Sequence, residues 1–427
     1  MMRRILSLLF IGSFLFSSTI IYAAGALDLS GLVLEAKKNN PEIVSALKRY
    51  EAAKSRIPQA KSLDDPVVGL KFEKAKGNPF NLDTTPAMDR MLSLSQMLPW
   101  FGKLPLKGKI ALVESQMFAA QLVDKELEII NQVRNVYYSL FLDYKEIELK
   151  EESLVFLGNM ETVAQAKYAV GDIPQEDVFK INLEITKLSN DITNLKQERS
   201  AKEARLNSLL NRDPESPLGK PDLLEEVSRL NDDIGSLYKL TVENQPELLI
   251  FSYAIEKNKY AQSLAKRSFF PDLMAGIVAR GITTGSIGPW DLMLSFTVPL
   301  WFWSKQRYEI KEAIANLEEA QAAYQAMKSK ALAQTKDLLT KIQIAANKIR
   351  LYKDNQIPIL NSSIESSLSS YRSGQGDIMM LLDSERMLVE TKMQYYRSLV
   401  EYNMNLADLE KHVGIDLSEV ENENESE

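Results

Sequence analysis

An internal repeat is the feature that most constrains how this chain can fold. Short motifs recur in the same order, with offsets between 200 and 205 residues. The pairs are NNPE (39–42) with NQPE (244–247), DP (65–66) with FPD (270–272), LSQMLP (94–99) with LSFTVP (294–299), and YxxG (168–171) with YxxG (371–374). Several landmarks in one order indicate a tandem duplication. We therefore predict a first repeat at 25–211, a crossover at 212–235, a second repeat at 236–415 and an acidic tail at 416–427.

The first 24 residues have the pattern of a secretory signal peptide. Arg3 and Arg4 precede a short apolar run, Leu6–Phe16, and small residues follow at Ala23 and Ala24. A transmembrane anchor is the alternative, but the apolar run is short for that role. The chain contains no cysteine, which excludes disulfides, thiolate catalysis and a lipidated amino-terminal cysteine. Export without disulfides indicates a bacterial envelope protein held by large noncovalent interfaces.

Charge and motifs exclude several function classes. The formal net charge of −7 disfavours a nucleic-acid partner. We find no phosphate-binding loop, zinc-protease helix or nucleophile elbow in the sequence. The single histidine, His412, is interpreted as a solvated residue, and Met379 and Met380 as packing residues. We predict no catalytic residue, no metal site and no cofactor.

The helical pattern is unusually long in each repeat. Apolar residues recur in steps of three and four over 103–168 and 304–370, which is typical of a coiled-coil seam. At 1.5 Å per residue each helix would extend roughly 100 Å. We expect Pro358 to kink the second long helix. In each repeat the apolar periodicity also predicts an opening helix of about 30 residues and a shorter final helix, at 174–211 or 377–413. A glycine turn near 171 or 374 precedes the final helix.

Two short segments in each repeat have the alternation of β-strands, at 66–76, 88–98, 271–280 and 289–298. In the last strand Leu292, Leu294 and Phe296 share one face, while Ser295 and Thr297 share the other. This pattern matches the wall of a membrane barrel. A half-buried sheet in a soluble protein is the alternative.

Aromatic residues follow the second strand of each pair. After the prolines Pro99 and Pro299, the chain places Trp100, Phe101, Trp301, Phe302 and Trp303. Such rings favour the membrane–water interface, so we interpret them as an aromatic girdle. Hydrophobic plugs beneath a soluble sheet are the alternative. Four strands cannot close a barrel, so the chain must oligomerise, and three copies would supply twelve strands.

The sequence resembles the TolC family of outer-membrane efflux channels over essentially all of the mature chain. The resemblance rests on QMLPWFGK (96–103), TVPLW (297–301) and the YxxGxxxxxxLLD turn that ends at Asp383. The QxLPWFGKL form is similar to members of the CusC and CzcC kind, which serve heavy-metal pumps. The resemblance implies a mainly α fold with a small β part. In a homotrimer this fold forms a helical coiled-coil barrel and a 12-stranded β-barrel in outer-membrane lipid, with a long periplasmic extension.

The resemblance also implies where the channel closes. The glycine turns, with Gly171, Gly374 and Gly376, would form a periplasmic tip that contacts the adaptor. Asp383 would belong to a ring of carboxylates at the aperture, and Asp177 and Tyr371 would link the hairpins when closed. The sequence departs from some members at Met380, where they have a second Asp, and at Gly376, where they have a basic partner. An ordinary acid in the first turn of a helix is the alternative for Asp177 and Asp383.

The function implied by the resemblance is a passive exit duct. An inner-membrane pump, of the resistance-nodulation-division type, and a periplasmic adaptor would deliver a metal or a drug to it. Two alternatives remain open from the sequence. The chain could serve a type I protein secretion system, or it could be a soluble periplasmic coiled-coil adaptor or scaffold, which would not need detergent.

Overall fold

A computed structural model of the chain describes residues 27–73, 89–222, 224, 233–282, 287–415 and 417. Several of our predictions lie outside these residues. They are the signal peptide at 1–24, the strand ends at 74–76 and 88, most of the crossover between 223 and 232, and nearly all of the acidic tail.

Long helices dominate the described chain, and the same order of elements occurs twice along it. The helices are α1 (Leu29–Asn39), α2 (Pro41–Lys61), α3 (Lys103–Ala169), α4 (Gln175–Leu209), α5 (Ile234–Asn244), α6 (Pro246–Arg267), α7 (Gln306–Arg350), α8 (Ile357–Arg372) and α9 (Ile378–Val413). The strands are β1 (Val67–Glu73), β2 (Asp89–Leu98), β3 (Asp272–Ala279) and β4 (Trp290–Thr297). At 1.5 Å per residue, α3 is about 100 Å long.

The prediction of one opening helix per repeat is wrong, because each opening segment contains two helices. The breaks occur at Asn40 and Gln245, whose backbones are extended, with ψ of 124° and 119°. Each precedes a proline, and the proline ring disfavours helical geometry in the residue before it. The fixed φ of Pro41 and Pro246 then suits the first position of the next helix.

The second long helix, predicted over 304–370 with a kink at Pro358, is instead divided into two α-helices. Helix α7 ends at Arg350, a π-helical segment follows at Leu351–Gln356, and α8 begins at Ile357. Pro358 cannot donate a backbone hydrogen bond to the preceding turn, and its ring crowds that turn. The local widening lies just before the proline, where such segments commonly occur in response to a disturbed hydrogen-bond ladder.

The helices pack along one another and bury three apolar clusters. Helix α3 contacts α2, α4, α6 and α9, while α7 contacts α6 and α9. One cluster centres on α3 with the ends of α1 and α4, a second joins α5, α7 and α9, and a third joins the ends of α3 and α8 to the starts of α4 and α9. No helix in the described residues is long and apolar enough to cross a bilayer.

Shorter helices meet end to end at two places. Asn40, at the start of α2, donates from Nδ2 to the carbonyl oxygen of Leu209 at the end of α4, over 2.9 Å. Gly414, after α9, has a φ of 90°, and a side chain there would collide with the backbone of Asn244 before α6. As a result, α4 and α2 lie end to end beside α3, and α9 and α6 lie end to end beside α7.

Candidate functional site: the sheet and the helix-turn end

The four strands form one antiparallel sheet in the order β1-β2-β3-β4. Its register aligns apolar residues across neighbouring strands: Leu70 opposite Leu92, Leu94 opposite Ile277, and Ile277 opposite Leu292. Because side chains alternate along each strand, this register places every leucine, isoleucine and phenylalanine of the four strands on one face. The opposite face carries Gly69, Ser93, Ser95, Ser295 and Thr297.

The apolar face of the sheet is uncovered. Val68, Leu70, Leu292, Leu294 and Phe296 are all exposed, with Val68 at 66%. A half-buried sheet of a soluble protein would have this face packed against a second layer. No helix in the described part of the chain packs along it. A contiguous exposed apolar surface of this kind marks contact with a membrane or another protein.

Both outer strands have an open edge. In the described chain β1 pairs only with β2, and β4 pairs only with β3. The outer backbone groups of these strands therefore have no strand partner within one chain. Such an edge is a template for pairing with another strand, and in lipid it must be closed.

The predicted aromatic residues collect at one end of the sheet, beyond the carboxyl ends of β2 and β4. Strands β2 and β4 both lie antiparallel to β3, so their carboxyl ends point the same way, and Pro99 and Pro299 follow them. The ring centroids of Trp100 and Phe270 stack at 5.5 Å, and those of Phe302 and Trp303 lie 5.1 Å apart. Phe101 is 83% exposed, and Trp301, Phe302 and Trp303 are also exposed. An apolar depression of about 630 Å³ lies among Phe269, Pro299, Trp301 and their neighbours.

Polar contacts hold this aromatic segment to the sheet, and sequence reasoning missed them. The Asp272 carboxylate accepts from the Trp100 backbone N–H and from Lys103 Nζ, each at 2.7 Å. Arg267 donates to the carbonyl oxygen of Phe101. Gly102 has a φ of 84°, and a Cβ there would lie 2.5 Å from the Arg267 guanidinium. The turn from β2 into α3 therefore depends on a glycine and on residues more than 160 positions away.

The two glycine turns reverse the chain at the opposite end of the helices. Gly171 has a φ of 82° and Gly374 a φ of 75°, values that favour glycine. Gly376 is needed for a different reason, since a Cβ there would lie 2.9 Å from the backbone nitrogen of Tyr371.

Tyr371 joins the two hairpins within one chain. Its side chain is buried, with 2% exposure, in the apolar cluster that includes Leu157 and Leu381. Lys167 Nζ, at the end of α3, donates to the Tyr371 carbonyl oxygen over 2.8 Å and lies 4.8 Å from the centre of its ring. Burial raises the pKa of the Tyr371 phenol, and the carboxylates of Asp177 and Asp377 add to the shift. The phenol oxygen has no hydrogen-bond partner among the described residues.

Asp177 lies beside this cluster in the first turn of α4. Its carboxylate is 3.5 Å from Lys180 Nζ, and Lys180 also pairs with Glu176 at 2.8 Å. The structure thus brings Asp177 near Tyr371 without a hydrogen bond between their side chains, because the Tyr371 hydroxyl has no partner in the described chain.

Asp383 is separate from the Tyr371 cluster and faces solvent. Its side chain is 62% exposed and its carboxylate lies 3.7 Å from Arg386 Nη1. Arg386 also donates from both Nε and Nη2 to the carboxylate of Glu184 on α4. Sequence reasoning missed Lys167, Glu184 and Arg386. The contacts of Lys167 with Tyr371 and of Arg386 with Glu184 join residues about 200 positions apart, so no local pattern marks them.

The prediction that His412 is solvated is wrong. The ring is buried at the junction between α9 and α6, where Nε2 lies 2.9 Å from the Ala331 carbonyl oxygen. Burial is the main cause of its lowered pKa. The sequence places His412 near the end of a helix, but it does not show that another helix begins there.

Comparison with known sequences finds one family over most of the chain. The sequence model of the family described as "Outer membrane efflux protein" matches residues 32–212 and, separately, 237–414. Nodulation protein T of Rhizobium leguminosarum bv. trifolii is 21% identical over 413 residues, which cover 90% of this chain and 85% of that protein. Outer membrane protein OprJ of Pseudomonas aeruginosa is 22% identical over 417 residues, which cover 91% and 84% of the two chains.

Comparison with solved structures supports the fold. A structure of CusC, described by its conformational changes on folding and transmembrane channel formation, superposes with a TM-score of 0.80. The two chains are 16% identical, and the match covers 91% of this chain and 92% of CusC. At that identity the similarity is one of fold.

Proposed function

Because the chain belongs to the outer membrane efflux protein family, we propose that it forms a trimeric exit duct across the bacterial outer membrane. The duct works passively: an inner-membrane pump and a periplasmic adaptor deliver the substrate, which then leaves through the lumen. As in other members of the family, the protein lies in the outer membrane with a long helical extension into the periplasm.

The observation that carries this proposal is the four-stranded sheet with an uncovered apolar face and two open edges. A single sheet of this kind is unstable in lipid, because each unpaired backbone group there costs several kcal/mol. Pairing β4 of one copy with β1 of the next, three times over, gives a closed barrel of twelve strands. The apolar face then meets lipid, and the face with Ser93, Ser95 and Thr297 lines a wet lumen.

The two separate family matches support the tandem duplication that the sequence predicts. In the trimer, the helices of both repeats form the periplasmic tube. Trp100, Phe101, Trp301, Phe302 and Trp303 form the aromatic girdle at the periplasmic face of the membrane.

The turns at Gly171, Gly374 and Gly376 form the periplasmic tip and contact the adaptor. Asp383, exposed on α9, contributes to a ring of three carboxylates at the aperture, which attracts cations. Asp177 and Tyr371 belong to the contacts that hold the tip closed. The sequence similarity to members of the CusC and CzcC kind supports a resistance-nodulation-division pump and a metal or drug substrate.

The strand pairing is tested by cysteine cross-linking, since the chain has no native cysteine. We pair cysteines in one variant at Gly69 on β1 and Ser295 on β4, and repeat the test at neighbouring positions of both strands to find the register. Oxidation of the detergent-solubilised protein is expected to give covalent dimers and trimers on denaturing gels. The matched control combines Ser93→Cys, on the interior strand β2, with Ser295→Cys, and should remain monomeric. Monomer in every edge pair would overturn the barrel.

A further inference from the structure

The two end-to-end helix junctions of the chain differ in how their polar groups are satisfied. At the first junction, the Asn40 side-chain amide donates to the Leu209 carbonyl oxygen, and its Oδ1 accepts from the Glu42 backbone N–H, both at 2.9 Å. Both ends of this amide therefore have partners, as buried polar groups normally do.

At the second junction Gln245 takes the place of Asn40, and its longer side chain does not cap α6. His412 Nε2 lies 2.9 Å from the Ala331 carbonyl oxygen, which can only accept, so Nε2 carries the proton. In the neutral ring Nδ1 is then an acceptor, and the Gln245 amide nitrogen donates to it over 3.3 Å. The amide oxygen consequently points away from His412. Gln245 is only 3% exposed, and this oxygen has no hydrogen-bond partner in the described chain.

Gln245 lines a polar cavity of about 570 Å³ between α3, α6, α7 and α9. A second amide oxygen in its wall, Asn131 Oδ1, is also buried without a partner in the described chain, while Asn131 Nδ2 donates to Asp408 Oδ1 over 2.7 Å. Leaving such acceptors unpaired in a protein interior costs free energy, so the cavity is suited to a ligand that donates hydrogen bonds.

In the cavity wall, acids without an ion-pair partner in the described chain outnumber such lysines by three to two. Five acids line it: Asp124, Glu128, Glu247, Asp337 and Asp408. Glu128 already pairs with Lys125, and Asp337 pairs with Lys341 at 2.7 Å. The other three form no ion pair in the described chain, and they face two lysines without carboxylate partners, Lys330 and Lys411. Burial is the main cause of the raised pKa of Asp124; the charge of Glu247 adds to the shift, and the charge of Lys411 opposes it.

The arrangement of these acceptors favours an extended cation over a metal ion. Asp124, Glu247 and Asp408 come from three different helices, and no group of three or more acidic or histidine side chains in the described residues is placed to hold one metal ion. The cavity is also far larger than a single ion requires, and Pro246 and Leu338 add apolar surface to its wall.

We propose that this cavity binds a small aliphatic diamine. Its two ammonium groups would donate to the carboxylates and to the amide oxygens of Gln245 and Asn131, and its methylene chain would lie against Pro246 and Leu338. All of these contacts lie within one chain, so the proposal does not depend on the exit-duct function.

The test is isothermal titration calorimetry of the full-length, detergent-purified protein with 1,4-diaminobutane. We expect saturable binding of one diamine per chain, and binding of butylamine weaker by at least about tenfold, because the monoamine has one charged donor group. Asp124→Asn with Asp408→Asn should weaken diamine binding by at least about tenfold. The matched control, Glu318→Gln with Glu319→Gln on an exposed part of α7, should bind like the parent protein.

The double variant Asp124→Asn with Asp408→Asn could lose binding because it misfolds, so a variant that should gain affinity is also needed. Lys411→Gln removes one positive charge from the wall and should tighten diamine binding by about threefold or more, which a damaged fold would not do. The proposal is overturned if 1,4-diaminobutane does not bind, if butylamine or Mg²⁺ binds equally well, or if Lys411→Gln leaves the diamine affinity unchanged.

Discussion

Replacing Lys167 with methionine tests whether the contact between the two hairpins holds the tip closed. Lys167→Met keeps most of the side-chain length and removes the charge that donates to the Tyr371 carbonyl oxygen at 2.8 Å and lies over its ring. A hydrogen bond from a charged group contributes about 1.5–3 kcal/mol. A cation–π contact at a partly exposed site contributes about 0.5–1 kcal/mol. Lys167 is half-buried, so we take a low combined value of about 2 kcal/mol per chain, which is about 30-fold in an equilibrium constant.

The assay is single-channel recording in planar bilayers, with the fraction of time in the high-conductance state as the readout. We expect Lys167→Met to raise this fraction by about 30-fold for each chain that must release its contact when the channel opens. Two controls accompany it. Lys196→Met removes an exposed lysine that pairs with Glu151 and should change nothing. Tyr371→Phe should also change little, since the hydroxyl has no partner in the described chain. If Tyr371→Phe opens the channel and Lys167→Met does not, the reasoning is refuted. The contact that holds the tip closed would then lie at the Tyr371 phenol, between protomers.

Three further predictions follow from buried and exposed groups of α9. Asp383→Ala should reduce cation selectivity in the same recordings, because it removes an exposed carboxylate from the proposed aperture; unchanged selectivity would remove Asp383 from it. Leu381→Ala should lower the free energy of unfolding by about 2–5 kcal/mol in denaturant titrations, because Leu381 is fully buried. Burial raises the pKa of Glu385, so its ionised form destabilises the fold as the pH rises above the unfolded value of about 4.3. Glu385→Gln, which retains an acceptor for Ser153, should therefore raise the unfolding temperature at pH 7 and lose this advantage near pH 4. An equal advantage at both pH values would contradict this account.

Features that depend on local sequence were predictable. The apolar residues of 103–168 recur at helical spacing, and α3 occupies Lys103–Ala169. Glycine has no side chain to restrict φ, so a positive φ at Gly171 and Gly374 was predictable. The alternation of apolar and polar residues placed β4 within one residue of its observed limits. Each of these signals is carried by neighbours in sequence.

Features that depend on distant contacts were not predictable. Whether His412 is buried depends on Ala331 and Gln245, which reach it only once α7 and α6 are in place. The same holds for the hydrogen bond from Arg267 to the Phe101 carbonyl oxygen. The π-helical segment before Pro358 had a local signal, but proline alone does not say whether a helix will kink, end or widen. The breaks before Pro41 and Pro246 had a clear local signal, because a proline disfavours helical geometry in the residue before it.

The sheet also constrains when the proposed barrel forms. Val68, Leu70, Leu292 and Phe296 are exposed in the single chain, and the edges of β1 and β4 are open, so an unassembled chain would expose both in water. Exposed apolar strands with free edges aggregate readily. In lipid the apolar face would be satisfied, but the open edges would not. Since neither environment satisfies the single chain, closure of the barrel by three chains and its insertion into the membrane must be coupled steps. The long helices already bury three apolar clusters within one chain, so we expect them to fold before either step.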